Sequence, residues 1–150
     1  MTHDAPPLSK RRLKMWLRLL RLTRTVEAEL RDHLRREHDT TLPRFDVLAA
    51  LHRRRDTMTM SELSRLLLVS NGNATAVVDR LEKDGLVRRS PAPNDRRTVH
   101  VALTPAGTAA FEAMATGHEA RLDALLSGLG AGDLDAMRDI LRRALPEVKE

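Results

Sequence analysis

Hydrophobic residues recur at steps of three and four positions along most of this chain, and this spacing predicts a mainly helical fold. The first stretch covers residues 8–37 and predicts one long amphipathic helix. Pro43 then sets the backbone for a new helix start. An apolar stripe over residues 45–51 predicts a second helix, which we expect to fade over residues 53–56.

Two short helices joined by a polar turn are predicted for residues 60–84. The first opens on a capping box, because the Thr59 hydroxyl and the Glu62 carboxylate can each bind a free backbone N–H group. Residues 70–73 form the turn and carry N-cap chemistry, so we expect the second helix to open at Ser70. Gly85 then ends it in a left-handed conformation. Its inward face is formed by Ala74, Val77, Val78 and Leu81.

A β-hairpin is predicted next. Residues 86–90 and 98–103 have strand patterns, and the second of them alternates apolar with polar positions. Residues 91–95 between them are rich in turn formers, which predicts a prolonged tip that exposes Arg96 and Arg97 to solvent.

Two further helices complete the predicted fold. Thr104 and Pro105 supply an N-cap and a first-turn proline directly after the second strand. Glycines at positions 128, 130 and 132 interrupt the apolar stripe of this helix, and a last helix follows to about Leu145. The fold class is therefore mainly α with a small β-hairpin.

This order of elements is that of a winged helix-turn-helix, in which the second short helix enters the major groove of DNA. Asn side chains can bond the N6 and N7 atoms of adenine, and Thr and Ala can contact the thymine methyl group. The alternative is that Ser70 and Asn71 only cap the helix and that Asn73 is solvated. We expect DNA contacts from Ser70, Asn71, Asn73, Thr75, Ala76, Arg80 and Lys83.

The hairpin tip, or wing, concentrates positive charge. Arg88, Arg89, Arg96 and Arg97 lie within ten residues of one another, with Asp95 as the single acidic residue among them. Exposed guanidinium groups bind phosphates and enter narrow minor grooves. Because a carboxylate is repelled by phosphate, we expect Asp95 to orient Arg97 through a bidentate pair. The alternative is a solvated charged loop.

The composition excludes several classes of function. A chain of 150 residues has the size of one domain. It contains no cysteine, which excludes thiol catalysis, cysteine metal sites and thiol sensing of oxidants. The net charge of +5 is concentrated outside the acidic C-terminal third. The only aromatic residues are Trp16, Phe45 and Phe111, so base-stacking modules for single strands are disfavoured and duplex DNA is favoured.

The sequence contains neither a signal-peptide pattern nor a membrane-spanning apolar run, so we expect a cytoplasmic protein without a membrane partner. An enzyme is disfavoured, because no nucleophile elbow, metal-ligand cluster or phosphate-binding glycine loop occurs, and no cofactor is indicated. A further alternative is a helical interaction adaptor that keeps the winged scaffold without binding DNA. The outward polar and arginine side chains argue against it.

Four blocks of this sequence resemble the MarR (multiple antibiotic resistance regulator) family of transcription factors. They are the helix-turn-helix residues 60–75, the run Val-Asp-Arg-Leu-Glu-Lys-Asp-Gly-Leu-Val-Arg-Arg at 78–89, the Asp-Arg-Arg wing tip at 95–97, and Leu-Thr-Pro-Ala-Gly at 103–107. The wing tip followed by Leu-Thr-x-x-Gly is the most specific part. The resemblance covers about residues 10–145.

The resemblance implies a single MarR-type domain over residues 1–150. Residues 42–104 would form the DNA-binding lobe, with residues 70–83 as the recognition helix. Residues 8–38 and 105–147 would form dimerisation helices. It also implies a homodimer that binds a pseudo-palindromic operator, usually as a repressor, and that often releases DNA when a small aromatic ligand binds. The leucine-rich stripes at both ends of the chain allow such a dimer, although they could also pack on each other within one chain.

An inducer pocket between the dimerisation helices and the DNA-binding lobe would need apolar walls and a few polar anchors. Residue types that suit an aromatic carboxylate occur at Trp16, His38, Arg44, Phe45, His52 and Arg65, and each also has an ordinary structural interpretation. His33, Glu37 and His38 are close in sequence, but only His33 and Glu37 share a helix face, so no metal site is predicted.

Overall fold

The computed structural model describes residues 5–70 and 72–145, apart from the side chains of Val69 and Ser70. The fold is mainly helical with a small antiparallel sheet, as the sequence predicts. The elements in chain order are α1 (Leu8–His38), α2 (Leu42–Arg54), β1 (Met58–Thr59), α3 (Met60–Ser70), α4 (Ala74–Lys83), β2 (Val87–Ala92), β3 (Asp95–Leu103), α5 (Pro105–Leu125) and α6 (Ala131–Ala144).

The sheet has the strand order β1-β3-β2, and both pairings are antiparallel. Val87 lies opposite Leu103 at the base of the hairpin, and the pairing shifts register between Pro91 and Ala92 near its tip. The two-residue strand β1 pairs Met58 with Val101. Periodicity did not predict β1, because two residues are too few to show an alternation.

Threonine caps begin three of the helical segments. The Thr41 hydroxyl accepts the Arg44 N–H at 3.3 Å at the start of α2. The predicted capping box before α3 is confirmed: the Thr59 N–H donates to the Glu62 carboxylate at 2.9 Å, and the Glu62 N–H donates to the Thr59 hydroxyl at 3.2 Å. These bonds satisfy N–H groups that the first helical turn leaves without partners.

The hydrophobic core joins α1, the helix-turn-helix and the sheet. Five of its side chains, one from each of five elements, are at most 1% exposed: Leu34 of α1, Leu48 of α2, Leu63 of α3, Leu81 of α4 and Val101 of β3. Burying a leucine contributes about 1.5–3 kcal/mol, so this cluster holds the lobe together and fixes α4 against it. The N-terminal half of α1 lies outside this core.

Gly107, the glycine of the Leu-Thr-x-x-Gly motif, lies where there is no room for a side chain. A Cβ atom at this position would lie 1.9 Å from the carbonyl oxygen of Leu86, which is far inside van der Waals contact. Thr104 strengthens the same junction, because its hydroxyl donates to the Gly85 carbonyl at 2.6 Å and accepts the Gly107 N–H at 3.0 Å. The motif therefore packs the start of α5 against the segment that joins α4 to β2.

The second short helix begins later than the sequence predicts. Helix α3 continues through Ser70, and the Gly72 N–H donates to the Leu67 carbonyl at 3.1 Å where that helix ends. Helix α4 begins at Ala74 with Asn73 as its N-cap. The expected start at Ser70 is therefore wrong, because Ser70 belongs to the preceding helix and Asn73 provides the cap. Asn71 lies outside the described residues.

Candidate nucleic-acid interface

Helix α4 presents a small polar face to solvent. Ala74, Val78 and Leu81 are buried and Val77 is partly buried, which confirms the predicted inward stripe. The opposite face is formed by the exposed residues Thr75, Ala76, Asp79, Arg80 and Lys83. This orientation follows from the helical period, since residues three and four apart share one face.

Asn73 has a structural role at the start of this face. Its side-chain oxygen accepts the Ala76 N–H at 3.2 Å, and the residue is exposed. The sequence predicts N-cap chemistry for the turn 70–73 without deciding which residue caps α4, and it places Asn73 outward for contact with DNA. The oxygen of Asn73 thus already has one protein partner, while its amide N–H groups remain available to an acceptor.

The tip of the hairpin exposes Arg96 and Arg97, as predicted. The predicted pair between Asp95 and the Arg97 guanidinium is wrong. The Asp95 carboxylate instead accepts the backbone N–H of Arg97 at 2.9 Å and the Thr98 hydroxyl at 3.1 Å. This local turn geometry gives both oxygens of Asp95 a partner, and Asp95 forms no ion pair with the guanidinium of Arg97.

Arg89 differs from the other wing arginines because it is bound to α4. Its guanidinium lies 2.6 Å from the Asp79 carboxylate and 3.0 Å from the Glu82 carboxylate. The Arg89 backbone N–H also donates to Glu82 at 2.8 Å. These hydrogen bonds lower the pKa of Glu82 and raise the pKa of Arg89. The sequence groups Arg89 with the exposed wing arginines that would bind DNA, and this grouping is corrected for Arg89.

A second ion pair joins the C-terminal end of α4 to α2. The Arg44 guanidinium donates to the Asp84 carboxylate at 2.7 Å, and the Arg44 side chain is only 19% exposed. This hydrogen bond holds the pKa of Asp84 below its ordinary value. Sequence reasoning missed Asp84, Asp79 and Glu82, because their partners depend on how the helix packs and not on local spacing.

The candidate ligand residues do not share one cavity. Arg65, Arg44 and His52 line three separate cavities of about 840, 590 and 500 Å³. Trp16 lies on α1 and is 54% exposed, whereas Phe45 is 4% exposed within the core. Phe45 and His52 both contact Phe111, at ring-centroid distances of 5.6 and 4.5 Å.

His33 and His38 lie edge to face with their ring centroids 6.0 Å apart. Among the residues that the structure describes, no three His, Cys, Asp or Glu side chains are grouped as metal ligands. Over the same residues, no helix combines the length and the apolar character needed to cross a bilayer.

The largest of the three cavities lies between the helix-turn-helix and the wing. Met60, Ser64 and Arg65 of α3 form one side, Thr75 of α4 contributes a second side, and Arg89 and Pro91 of β2 close the third. The walls combine apolar carbon with the guanidinium of Arg65, since Arg89 is already paired with Asp79 and Glu82, and one cation suits a small molecule that carries an anionic group.

An exposed polar helix beside an arginine-bearing hairpin, both on a winged-helix scaffold, defines a DNA-binding regulator. Comparisons with known proteins agree. The family model described as the MarR family matches residues 40–99. The chain is 34% identical over 72% of its length to the multiple antibiotic resistance protein MarR of Salmonella typhimurium, and it covers 75% of that protein. The chain belongs to the MarR family, whose members are transcriptional regulators and not enzymes.

Two further matches extend this result. The chain is 35% identical over 79% of its length to the uncharacterized HTH-type transcriptional regulator YkoM of Bacillus subtilis, and it covers 75% of that protein. It also superposes on a mutant of MarR from E. coli complexed with operator DNA, with a TM-score of 0.75 and 28% identity. That match covers 93% of this chain and 99% of the other.

Proposed function

We propose that this chain is a cytoplasmic repressor that binds a pseudo-palindromic DNA operator as a homodimer. The observation that carries the proposal is the pairing of two exposed elements in one lobe, the polar face of α4 and the arginine-bearing wing. The lobe comprises residues 42–104. A repressor of this kind acts by occupying the operator and excluding other proteins from it.

Helix α4 is the proposed recognition helix. Thr75 and Ala76 lie in its first turn, where a helix that enters the major groove brings its side chains nearest to base edges. Both can contact thymine methyl groups, and the amide N–H groups of Asn73 can donate to base acceptors. Arg80 and Lys83 follow on the exposed face and suit phosphate contacts. Ser70 and Asn71, which precede α4, belong to the same proposed contact surface.

The wing supplies the second proposed contact. Arg96 and Arg97 are exposed, and within the described part of the chain neither guanidinium takes part in an ion pair. Free guanidinium groups release counterions from DNA and favour the negative potential of a narrow minor groove. Asp95 supports this contact by holding the backbone of Arg97, as its hydrogen bonds indicate.

The proposed dimer uses helices at the two ends of the chain, over residues 8–38 and 105–147. Helix α6 buries none of its residues within one chain. Many large apolar side chains left exposed on two helices indicate an interface with another chain. The large apolar side chains left exposed on α1 and in the C-terminal segment are Leu8, Leu13, Met15, Trp16, Leu17, Leu22, Leu134, Ile140, Leu141 and Leu145.

A two-fold dimer would place its two recognition helices about 34–36 Å apart, one turn of B-form DNA. A small aromatic acid would act as inducer if it bound more tightly to a dimer with a different spacing. The cavity that Arg65 and Thr75 line is the preferred place for it, because it borders the proposed DNA-contacting helix.

The test is selection of bound duplexes from a random DNA pool by the full chain, followed by light scattering of the free protein. The proposal predicts a consensus with two inverted half-sites and a particle of two chains. The selection is repeated with salicylate and benzoate as aromatic-acid probes, which we expect to weaken binding. Recovery of no preferred sequence would contradict the proposal and favour the adaptor alternative.

A further inference from the structure

We infer that Arg89 is a positioning residue for operator recognition: it braces the wing against the recognition helix and shields two carboxylates on that helix from DNA. The inference deepens the proposed function and rests on it. Arg89 lies in β2, and its partners Asp79 and Glu82 lie in α4. The triad formed by these three residues therefore connects the two elements that would contact DNA.

Arg89 is linked to α4 by several charged hydrogen bonds at once. Two nitrogens of the Arg89 side chain, Nε and Nη2, donate to one oxygen of Glu82, at 3.2 and 3.0 Å. The other oxygen of Glu82 accepts the Arg89 backbone N–H at 2.8 Å. The third guanidinium nitrogen, Nη1, lies 2.6 Å from Asp79. Hydrogen bonds between ionised groups are about twice as strong as neutral ones and restrict geometry more tightly.

The triad lies where it can fix the orientation of the wing relative to α4. Arg89 pairs with Val101 in the hairpin, so its backbone is fixed to both strands. Asp79 and Glu82 are one turn apart on α4, so their side chains lie on the same helix face. The segment that joins α4 to β2 is short, and the triad is a side-chain link across it. Loss of this link would let the wing rotate relative to α4.

The positive charge of Arg89 also offsets the two carboxylates of α4, which would otherwise repel DNA. The Asp79 side chain is 53% exposed and lies next to Arg80, on the part of α4 proposed to approach phosphates. An unpaired carboxylate there would repel DNA. Arg89 places its charge against both carboxylates, so it is not free to contact phosphate in the way proposed for Arg96 and Arg97. The lowered pKa of Glu82 agrees with a pair that stays ionised over the neutral range.

This assignment makes a prediction that simple charge counting does not. Removing the Glu82 carboxylate makes the protein more positive, so charge counting predicts tighter binding to every duplex. If the triad positions the wing, Glu82→Ala instead weakens binding to the selected operator while it strengthens binding to unrelated DNA. Arg89→Lys keeps the charge but cannot reproduce the planar, multiple contacts of a guanidinium group. It therefore weakens operator binding and leaves unrelated DNA unaffected.

The experiment measures dissociation constants for the selected operator and for an unrelated duplex of equal length, at one salt concentration. The proteins are the wild type, Arg89→Lys, Glu82→Ala and the control Asp56→Asn, which removes one acidic charge outside the triad. We expect the affinity for the operator, divided by the affinity for unrelated DNA, to fall about threefold or more in each triad variant. The control is expected to change both affinities by the same factor.

Equal factors for operator and unrelated DNA in Arg89→Lys and Glu82→Ala would overturn the inference. Arg89→Lys keeps the net charge, so it remains informative even if Glu82→Ala fails to fold. A failure of the proposed function itself gives a different result, since the wild type would then show no preference between the two duplexes.

Discussion

The imidazole of His118 is stacked on the ring of Phe45, with centroids 4.2 Å apart and an angle of 25° between the ring planes. His118 belongs to α5, and Phe45 belongs to the core of the helix-turn-helix lobe. The stack therefore joins a proposed dimerisation helix to the proposed DNA-binding lobe. His33 of α1 lies against the same part of α5, with its Nε2 atom buried and without a hydrogen-bond partner among the described residues.

Acidification should weaken this junction. Burial, with a smaller contribution from His33, lowers the pKa of His118 below its ordinary value. The unfolded chain then takes up the proton first, so the free energy of unfolding falls as pH drops below about 6.5 and levels off below the folded-state pKa. Chemical denaturation between pH 7.5 and 5.5 should show this loss. His118→Phe keeps an aromatic stack and should show a smaller loss, whereas an unchanged pH dependence would remove His118 from the explanation.

Gly107→Ala should strongly destabilise the protein. The added methyl group would overlap the Leu86 carbonyl oxygen, which is backbone and cannot move without shifting the hairpin. We expect a loss of about 3 kcal/mol or more in the free energy of unfolding. Gly128→Ala is the matched control, because nothing lies within 4 Å of the added atom. Urea denaturation of both variants checks the prediction, and equal midpoints would contradict it.

Asn73 allows capping to be separated from DNA contact. Asn73→Ala should cost about 1 kcal/mol of stability through loss of the N-cap, and it should also weaken operator binding. Asn73→Ser keeps a cap but is too short for the same base contact, so stability should stay near that of the wild type while operator binding falls about tenfold. If Asn73→Ser binds the operator like the wild type, Asn73 is a cap and nothing more.

Arg97→Ala tests the wing. The loss of one exposed guanidinium should weaken binding to every duplex and reduce the slope of log K against log salt by about 0.9. Arg18→Ala removes the same charge from α1, outside the proposed DNA-binding lobe, and should leave the slope nearly unchanged at protein concentrations where light scattering shows a dimer. The slope is measured by titrating the DNA affinity of both variants with salt. A slope retained in Arg97→Ala would exclude this side chain from the phosphate contacts.

The sequence was sufficient for those features that depend on local chemistry. Helical spacing and strand alternation gave the order of the helices and the hairpin, though not β1, and the spacing of Thr59 and Glu62 gave the capping box that the structure contains. The inward face of α4 followed in the same way, since one period fixes which side chains share a face. These features depend on residues only a few positions apart.

Other features depended on tertiary packing and could not be predicted. Ser70 and Asn73 both have N-cap chemistry, and only the length of α3 decides that Asn73 caps α4. Arg89 looks like any wing arginine until α4 brings Glu82 beside it. Asp95 had two possible partners, the guanidinium of Arg97 or its backbone, and turn geometry selected the backbone.

The most direct test of the central claim compares two operator duplexes. One is the selected sequence, and the other has about five base pairs, half a helical turn, inserted between its half-sites. A rigid dimer that reads both half-sites must lose most of its affinity for the second duplex, down to the level of unrelated DNA. Equal affinity for both duplexes would show that the chain does not read two half-sites together, and it would contradict the proposed mode of recognition.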